Sequence, residues 1–292
     1  MSRPRILIQF DSDPQPSTFD AVVAVDSQVD HLFRHGAVTE ENVTGLVHGA
    51  MFTRGGEDLK STAVFIGGND VQAGEHLLSA VQDAFFGPVR VSVMLDSNGC
   101  NTTASAAVLS AGKHLDLANS TLLVLGGTGP VGRRVARLLA RQGAQVRIGS
   151  RSPDRAAEAA AEVATSIDGD VSIEGVSTAG DDALAAALED CQGIVACGAA
   201  GVRLVDQAAL EKASSVKLLI DLNAVPPAGI EGVEATDKGR ERGDRVAYGA
   251  LGVGGLKMKI HRAAIQSLFE SNDRVLDADE IYQLGQELLA DG

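Results

Sequence analysis

Residues 121–155 read TLLVLGGTGPVGRRVARLLARQGAQVRIGSRSPDR, and no other stretch limits the fold of this chain so tightly. The apolar run Leu122 to Leu125 leads into a glycine turn, after which Val131, Val135, Leu138 and Leu139 recur at helical spacing. Gly127, Gly129 and Gly132 fit G-x-G-x-x-G between that strand and that helix, and a second strand follows. One glycine permits a tight turn, one lets the backbone approach a pyrophosphate, and one lets the helix pack on the strand. Thr128, Pro130 and Val131 complete the turn, and Pro130 suits a first helical position, where its missing N–H costs nothing. The helix start then presents unpaired N–H groups and a positive dipole end to phosphates. The segment predicts a dinucleotide-binding βαβ unit.

The end of the second strand bears on which dinucleotide. An NAD-selective site places Asp or Glu about 20 residues beyond the glycines, whereas Arg147 to Arg151 contains no carboxylate. The Arg151 guanidinium, with the Ser150 hydroxyl and Arg155, would pair with a 2′-phosphate through charge-assisted hydrogen bonds. NADP is therefore the expected cofactor, with acceptance of NAD left open; solvated surface charge is the alternative reading of these arginines. Residues 130–155 hold seven arginines against one acid, Asp154, and so carry +6 within a chain of −14. Such a balance suits local attraction of an anionic cofactor and not nucleic acid.

The remainder reads as a second α/β unit before the glycine motif and a helical tail after the nucleotide fold. Strands are expected at Arg5 to Phe10, Thr62 to Ile66 and Val89 to Leu95, and helices at Val71 to Phe86 and Asn101 to His114. Phe19 to Val25 is a helix or a strand, and residues 28–60 are polar and without a clear period. Beyond Arg155, strands near Val171 to Val176, Gly193 to Ala196 and Val216 to Ile220 alternate with helices, completing a doubly wound sheet. The fold class is α/β, divided as 1–115 (N-terminal α/β domain), 116–256 (Rossmann-type domain) and 257–292 (helices returning to the first domain). Cofactor contacts beyond the strand ends point to Cys197, Gly198, Ala199 and Asn223, with Cys197 a small buried residue and not a nucleophile. Three cysteines without a C-x-x-C pattern, no signal-peptide core and no apolar run of membrane length predict a soluble, reduced, cytoplasmic protein. His31 and His35 have i, i+4 spacing but no evident third ligand, so no metal is expected.

Several segments are long and unusual: ILIQFDSDPQPSTFD, MFTRGG, FIGG, FFGPVRVSVMLDSNGCNTTA, GTGPVG, DLNAVPPAGI, EATDKG and ALGVGGLKMKIHRA. Through them essentially the whole chain resembles the NADP-dependent methylene-tetrahydromethanopterin dehydrogenases, bacterial enzymes of one-carbon oxidation, some of which also accept methylene-tetrahydrofolate. The resemblance implies hydride transfer from the pterin methylene carbon to NADP in a cleft between the two domains. It also implies a homo-oligomer. Such a reaction demands near-attack geometry and tolerance of a developing cation, and no general base.

On the substrate side the resemblance points to Phe19 as an apolar wall near the pterin and to Asp20 as a carboxylate for the cation or a pterin amide. Lys257 and His261, four apart, share one helical face if the helix has begun by Lys257. By resemblance that face meets the reacting groups. The bland readings are a core Phe19, a capping Asp20 and a solvated Lys257–His261 face. Ser97, Asn98, Asn101 and Thr102 offer hydroxyls and amides at a helix start, suited to substrate contact or to a capped turn. The Tyr-x-x-x-Lys pair of bifunctional dehydrogenase/cyclohydrolases is missing, since Gly252 and Gln286 lie four beyond Tyr248 and Tyr282. Little cyclohydrolase activity is therefore expected. A shikimate-dehydrogenase-like oxidoreductase using Lys60 and a non-catalytic NADP sensor are the competing readings.

Overall fold

The computed structural model describes residues 3–290. In chain order the elements are β1 (Ile6–Asp11), α1 (Thr18–Asp26), β2 (His31–His35), α2 (Val43–Met51), β3 (Thr62–Gly67), α3 (Val71–Asp83), β4 (Ser92–Leu95) and α4 (Cys100–Ala111). Then come β5 (Thr121–Leu125), α5 (Pro130–Arg141), β6 (Gln145–Ser150), α6 (Pro153–Thr165), β7 (Ile173–Ser177), α7 (Asp181–Leu188), β8 (Gly193–Ala196), α8 (Gln207–Lys212) and β9 (Leu218–Asp221). The chain closes with β10 (Lys238–Arg242), β11 (Arg245–Tyr248), α9 (Ala250–Ser267), β12 (Val275–Leu276) and α10 (Ala278–Ala290). Residues up to Thr102 and from Met258 onward cluster as one unit, and Thr103–Lys257 as another. The first division therefore falls inside α4 and not at residue 115. A helix can leave one unit and enter the next without any turn residue to announce it.

In the first unit five strands pair in the order β12-β4-β3-β1-β2, all parallel. The β3 sequence TAVFIG is buried at every position, as expected of a strand covered on both faces. Phe10, Val64, Ile66, Val93 and Leu95 of the sheet form a core with Val47 and Met51 of α2 and Leu77 and Val81 of α3. The stretch 28–60 contains β2, α2 and a 3-10 turn at Gly56–Ser61. β2 is an edge strand, half exposed along its length, so its sequence HLFRH has no burial pattern to impose alternation. In register, Asp11 at the end of β1 lies beside Gly67 at the end of β3, and Asp96 follows β4 on the same edge.

The second unit has seven strands in the order β10-β11-β9-β8-β5-β6-β7. All pairings are parallel except β10 with β11, so the doubly wound sheet carries one antiparallel edge strand. The chain runs β5, β6, β7 to one side and then returns to β8 on the other side of β5. That reversal opens a crevice at the carboxyl ends of β5 and β8, where such sheets bind ligands. Among the described residues, no helix is long and apolar enough to cross a membrane.

Candidate functional site

The glycine turn is shaped by close contacts on one side and by open space on the other. A β-carbon on Gly132 would stand 2.6 Å from Gly127 Cα, and one on Gly127 2.8 Å from Ile148 Cγ2, so both are required for packing α5 against β5 and β6. Gly129, the N-cap of α5, is different: its nearest neighbour would be Gly126 O at 3.5 Å. A side chain there would thus meet only ordinary contact from the protein, in front of a helix N-terminus whose unpaired N–H groups suit an anion. The tight-turn role falls on Gly126, outside the G-x-G-x-x-G spacing, with φ +67° and the Gly198 backbone 2.6 Å from its absent β-carbon. Pro130 opens α5 and Val131 follows within its first turn.

A cavity of about 610 Å³ lies beyond these strand ends. Of the residues expected to bind cofactor, Thr128, Ser150, Arg151, Arg155, Gly198 and Ala199 line it. Gly126, Ser152, Thr178 and Arg203 line it too and were not anticipated. Thr178 follows β7 as Arg151 follows β6, so the strand-end rule could have found it; Arg203 sits in an irregular loop with no pattern to mark it. Gly127, Gly129, Pro130, Val131 and Gly132 belong to the adjoining turn and helix start and are not among the lining residues, and Cys197 and Asn223 stand on the same edge but also outside the lining. Cys197 is half-buried and not the fully buried residue expected; desolvation and the neighbouring Asp221 carboxylate push its thiol pKa up, which disfavours the nucleophilic thiolate. Asn223 shapes its own loop, donating from Nδ2 to Pro227 O and accepting from Val225 N.

Four arginines of the +6 stretch show two different settings. Arg133 pairs with Glu162, and Arg147 pairs with Glu174 and donates to the carbonyls of Ala187 and Glu189 at the end of α7. Arg147 thereby ties β6 to the end of α7, while the exposed Arg133–Glu162 pair contributes little to folding. Arg151 and Arg155 are exposed and face the cavity, which contains no carboxylate among its lining residues.

In the first unit the carboxyl edge gathers acids around Gly67. A β-carbon there would meet Asp20 Oδ2 at 3.2 Å, Phe65 Cε1 at 3.2 Å and Asp11 Oδ2 at 3.3 Å. Asp11 is fully buried and accepts from Asp13 N, Ser17 N and Gln9 Nε2, which fixes the entry of α1. Ser17 caps α1 by accepting from Asp20 N. Phe19 in that first turn is 52% exposed, so it is not a core residue.

Asp96 anchors the other side. Its carboxylate accepts from Asn101 N, Thr102 N and Thr102 Oγ1, capping α4. Ser97 donates to Gly67 O, and Asn101 donates to Leu95 O and Asp277 Oδ1. Ser97, Asn101 and Thr102 are buried in this turn, and Asn98, at φ +53°, is the exposed member of the group. α9 begins at Ala250, so Lys257 and His261 share a helical face. His261 is not on a solvated surface: it is fully buried, stacked on Phe65 at 5.6 Å between centroids, with Nδ1 3.8 Å from Asp96 Oδ2. Asp11 and Asp96 were missed because carboxylates after strands read in sequence as ordinary turn residues.

Three remaining candidates find other surroundings. His31 and His35 lie on β2, where four residues span about 13 Å, too far for one metal. Lys60 pairs with Glu57 on an exposed turn. Tyr248 Oη bonds His114 Nε2 at 2.8 Å, and Tyr282 is buried with its phenol pushed up to about 12.

Comparison with known proteins adds to this geometry. Residues 18–98 match the family described as "Methylene-tetrahydromethanopterin dehydrogenase, N-terminal", and residues 126–230 match "NAD(P)H-binding". "Bifunctional protein MdtA" of Methylorubrum extorquens is 47% identical, covering 97% of this chain and 99% of its own. The NAD(P)-dependent methylenetetrahydromethanopterin dehydrogenase of the same organism is 30% identical, covering 93% and 94%. Among solved structures, shikimate 5-dehydrogenase from Listeria monocytogenes superposes with TM-score 0.54 at 12% identity, over 98% of this chain and 96% of that one. That last likeness is one of fold alone.

Proposed function

Since the chain belongs to the methylene-tetrahydromethanopterin dehydrogenase family, we propose that it oxidises methylene-tetrahydromethanopterin, and methylene-tetrahydrofolate as a second substrate, by direct hydride transfer to NADP. The observation that carries the choice of NADP is the lining of the second unit's cavity, which presents Arg151, Arg155 and Arg203 and no carboxylate. A ribose 2′-hydroxyl calls for an acid at the end of β6; a 2′-phosphate calls for guanidinium groups there. When bound, the nicotinamide supplies the hydride acceptor.

The chain's own residues do the rest. Gly129 and the start of α5 hold the pyrophosphate, while Ser150 and Arg151 hold the 2′-phosphate. In the first unit, Phe19 offers an exposed apolar face to the pterin, and Asp20, beside Gly67, offers a carboxylate to the cation that develops as hydride leaves. Lys257 orients the substrate, and buried His261 acts through Phe65 and Asp96, as a positioning residue and not as an acid. Loss of hydride from a carbon between two nitrogens needs no proton transfer, so none of these groups has to serve as an acid or a base. Neither tyrosine stands in a Tyr-x-x-x-Lys pair, so the enzyme hydrolyses little of its methenyl product.

The test is a matrix of both methylene-pterins against NAD and NADP, with Arg151→Ala alongside the wild type. We expect NADP reduction by the wild type, and a rise of about tenfold or more in KM for NADP in the variant. An unchanged KM would overturn the account of cofactor choice. Methenyl hydrolysis above the spontaneous rate would overturn the claim of a dehydrogenase alone.

A further inference from the structure

We propose that Arg203 is a third phosphate-reading guanidinium of the dinucleotide cavity and that Glu231 is the counterion that restrains it. The proposal rests on reading residues 126–230 as the cofactor site, and it adds a specificity determinant with its own control. Arg151 and Arg155 enter the cavity from the turn after β6, and Arg203 from the loop after β8. These strands flank β5 on opposite sides. A phosphate monoester carries three acceptor oxygens and nearly two charges, more than one fork-shaped guanidinium satisfies. Cations reaching it from both sides of β5 complete its shell.

The pairing of Arg203 is built for exchange. Its Nη1 lies 3.2 Å from Glu231 Oε1, with the side chains 47% and 37% exposed. A pair so wet contributes little to folding. The loop holds its course without it: Leu204 N and Val205 N both donate to Gly229 O, and Glu231 N donates to Val205 O. Glu231 is itself anchored, because its other oxygen accepts from Gln207 N at 3.0 Å at the start of α8. The carboxylate is thus the fixed member and the guanidinium the one with a choice of partner. A 2′-phosphate offers Arg203 a stronger acceptor, and Glu231 subtracts from the gain by competing for the same N–H groups. Glu231 thereby sets how tightly the phosphorylated dinucleotide is held without touching it.

Calorimetric titration of NADP and of NAD into the full chain separates this from a structural role, and it needs no pterin. Arg203→Met should weaken NADP by about tenfold and leave NAD within about twofold. Arg203→Lys, which keeps the charge and loses the fork, should fall between wild type and Arg203→Met for NADP. Glu231→Gln should tighten NADP by about threefold, and the double variant Arg203→Met/Glu231→Gln should bind as Arg203→Met does. Equal weakening of both nucleotides by Arg203→Met would overturn the proposal in favour of stacking on adenine. So would no change in either, or a Glu231→Gln gain that survives in the double variant. Wild-type protein that bound neither nucleotide would overturn the cofactor assignment as well, a result distinct from any of these.

Discussion

Gly129 and Gly132 are both glycine for want of room, but the room is wanted by different occupants. At Gly132 the occupant is the protein, with Gly127 Cα 2.6 Å from the missing β-carbon. Gly132→Ala should therefore cost about 1–3 kcal/mol as an overpacked contact and impair cofactor binding as α5 shifts. At Gly129 the nearest protein atom is 3.5 Å away, and φ of −85° is open to any residue. Gly129→Ala should cost less than about 1 kcal/mol while raising KM for NADP by about tenfold or more. Thermal unfolding and cofactor titration of the two variants check this; equal losses of stability would contradict it. The spacing in the sequence named both residues and could not rank them, because the distinction depends on which neighbour faces each. Gly126 escaped for the same reason, since its constraint comes from Gly198 across the sheet. Arg151 was legible from its place after a strand, and Arg203 was not.

Elements were legible where burial imposes a pattern. β3, β5 and α3 are read correctly because two-sided burial or a helical stripe leaves little choice of residue. β2 and the hairpin of β10 and β11 were not anticipated, since KGRER and HLFRH are half-exposed edge strands that obey their neighbours and not an alternation, whereas α2 was overlooked although Val43, Val47, Ala50 and Met51 are buried at helical spacing. Beside the antiparallel β10–β11 pairing, a charge cluster orders the β10 arm and the turn before it. Arg242 donates from Nε and Nη2 to the two oxygens of Asp237, which also accepts from Glu234 N. Burial of Asp237 works to raise its pKa, but the Arg242 hydrogen bonds, the Glu234 N–H and nearby positive charge together hold it below the usual carboxylate range. A depressed pKa in the folded state means stabilisation that is present above the ordinary value, about 3.9, and lost as pH falls through the lowered one. Asp237→Asn should therefore lower Tm by a few degrees at neutral pH. The gap from wild type should persist down to about pH 4 and close below it. A gap independent of pH across that range would mean that packing and not the ion pair gives Asp237 its contribution to stability.

At the scale of the whole molecule the chain is a discontinuous first unit with the second inserted into it, leaving through α4 and returning through α9. The tail after α9 is thus part of the first sheet. β12 pairs with β4, Ser92 Oγ donates to Ser271 O, Asn101 Nδ2 donates to Asp277 Oδ1, and Ile281 and Tyr282 of α10 are buried. Asp277 and Glu280 have capping-box spacing at the start of α10, and Glu280 accepts from Asp277 N, but nothing in two residues of sequence announces a strand as short as β12. Ending the chain at Glu270 would leave β4 as an unprotected edge and remove a partner of Asn101, whose backbone N–H bonds Asp96. The second unit has its own apolar core and takes nothing from residues 271–290 in its sheet. The truncated chain should accordingly lose methylene-pterin oxidation and self-associate through the exposed edge, while binding NADP within about threefold of wild type, as expected when one cooperative unit fails and another stands. Calorimetric titration with NADP, beside a turnover assay and light scattering, reads all three effects. Loss of NADP binding in step with turnover would show that the two units fold as one and would refute the division.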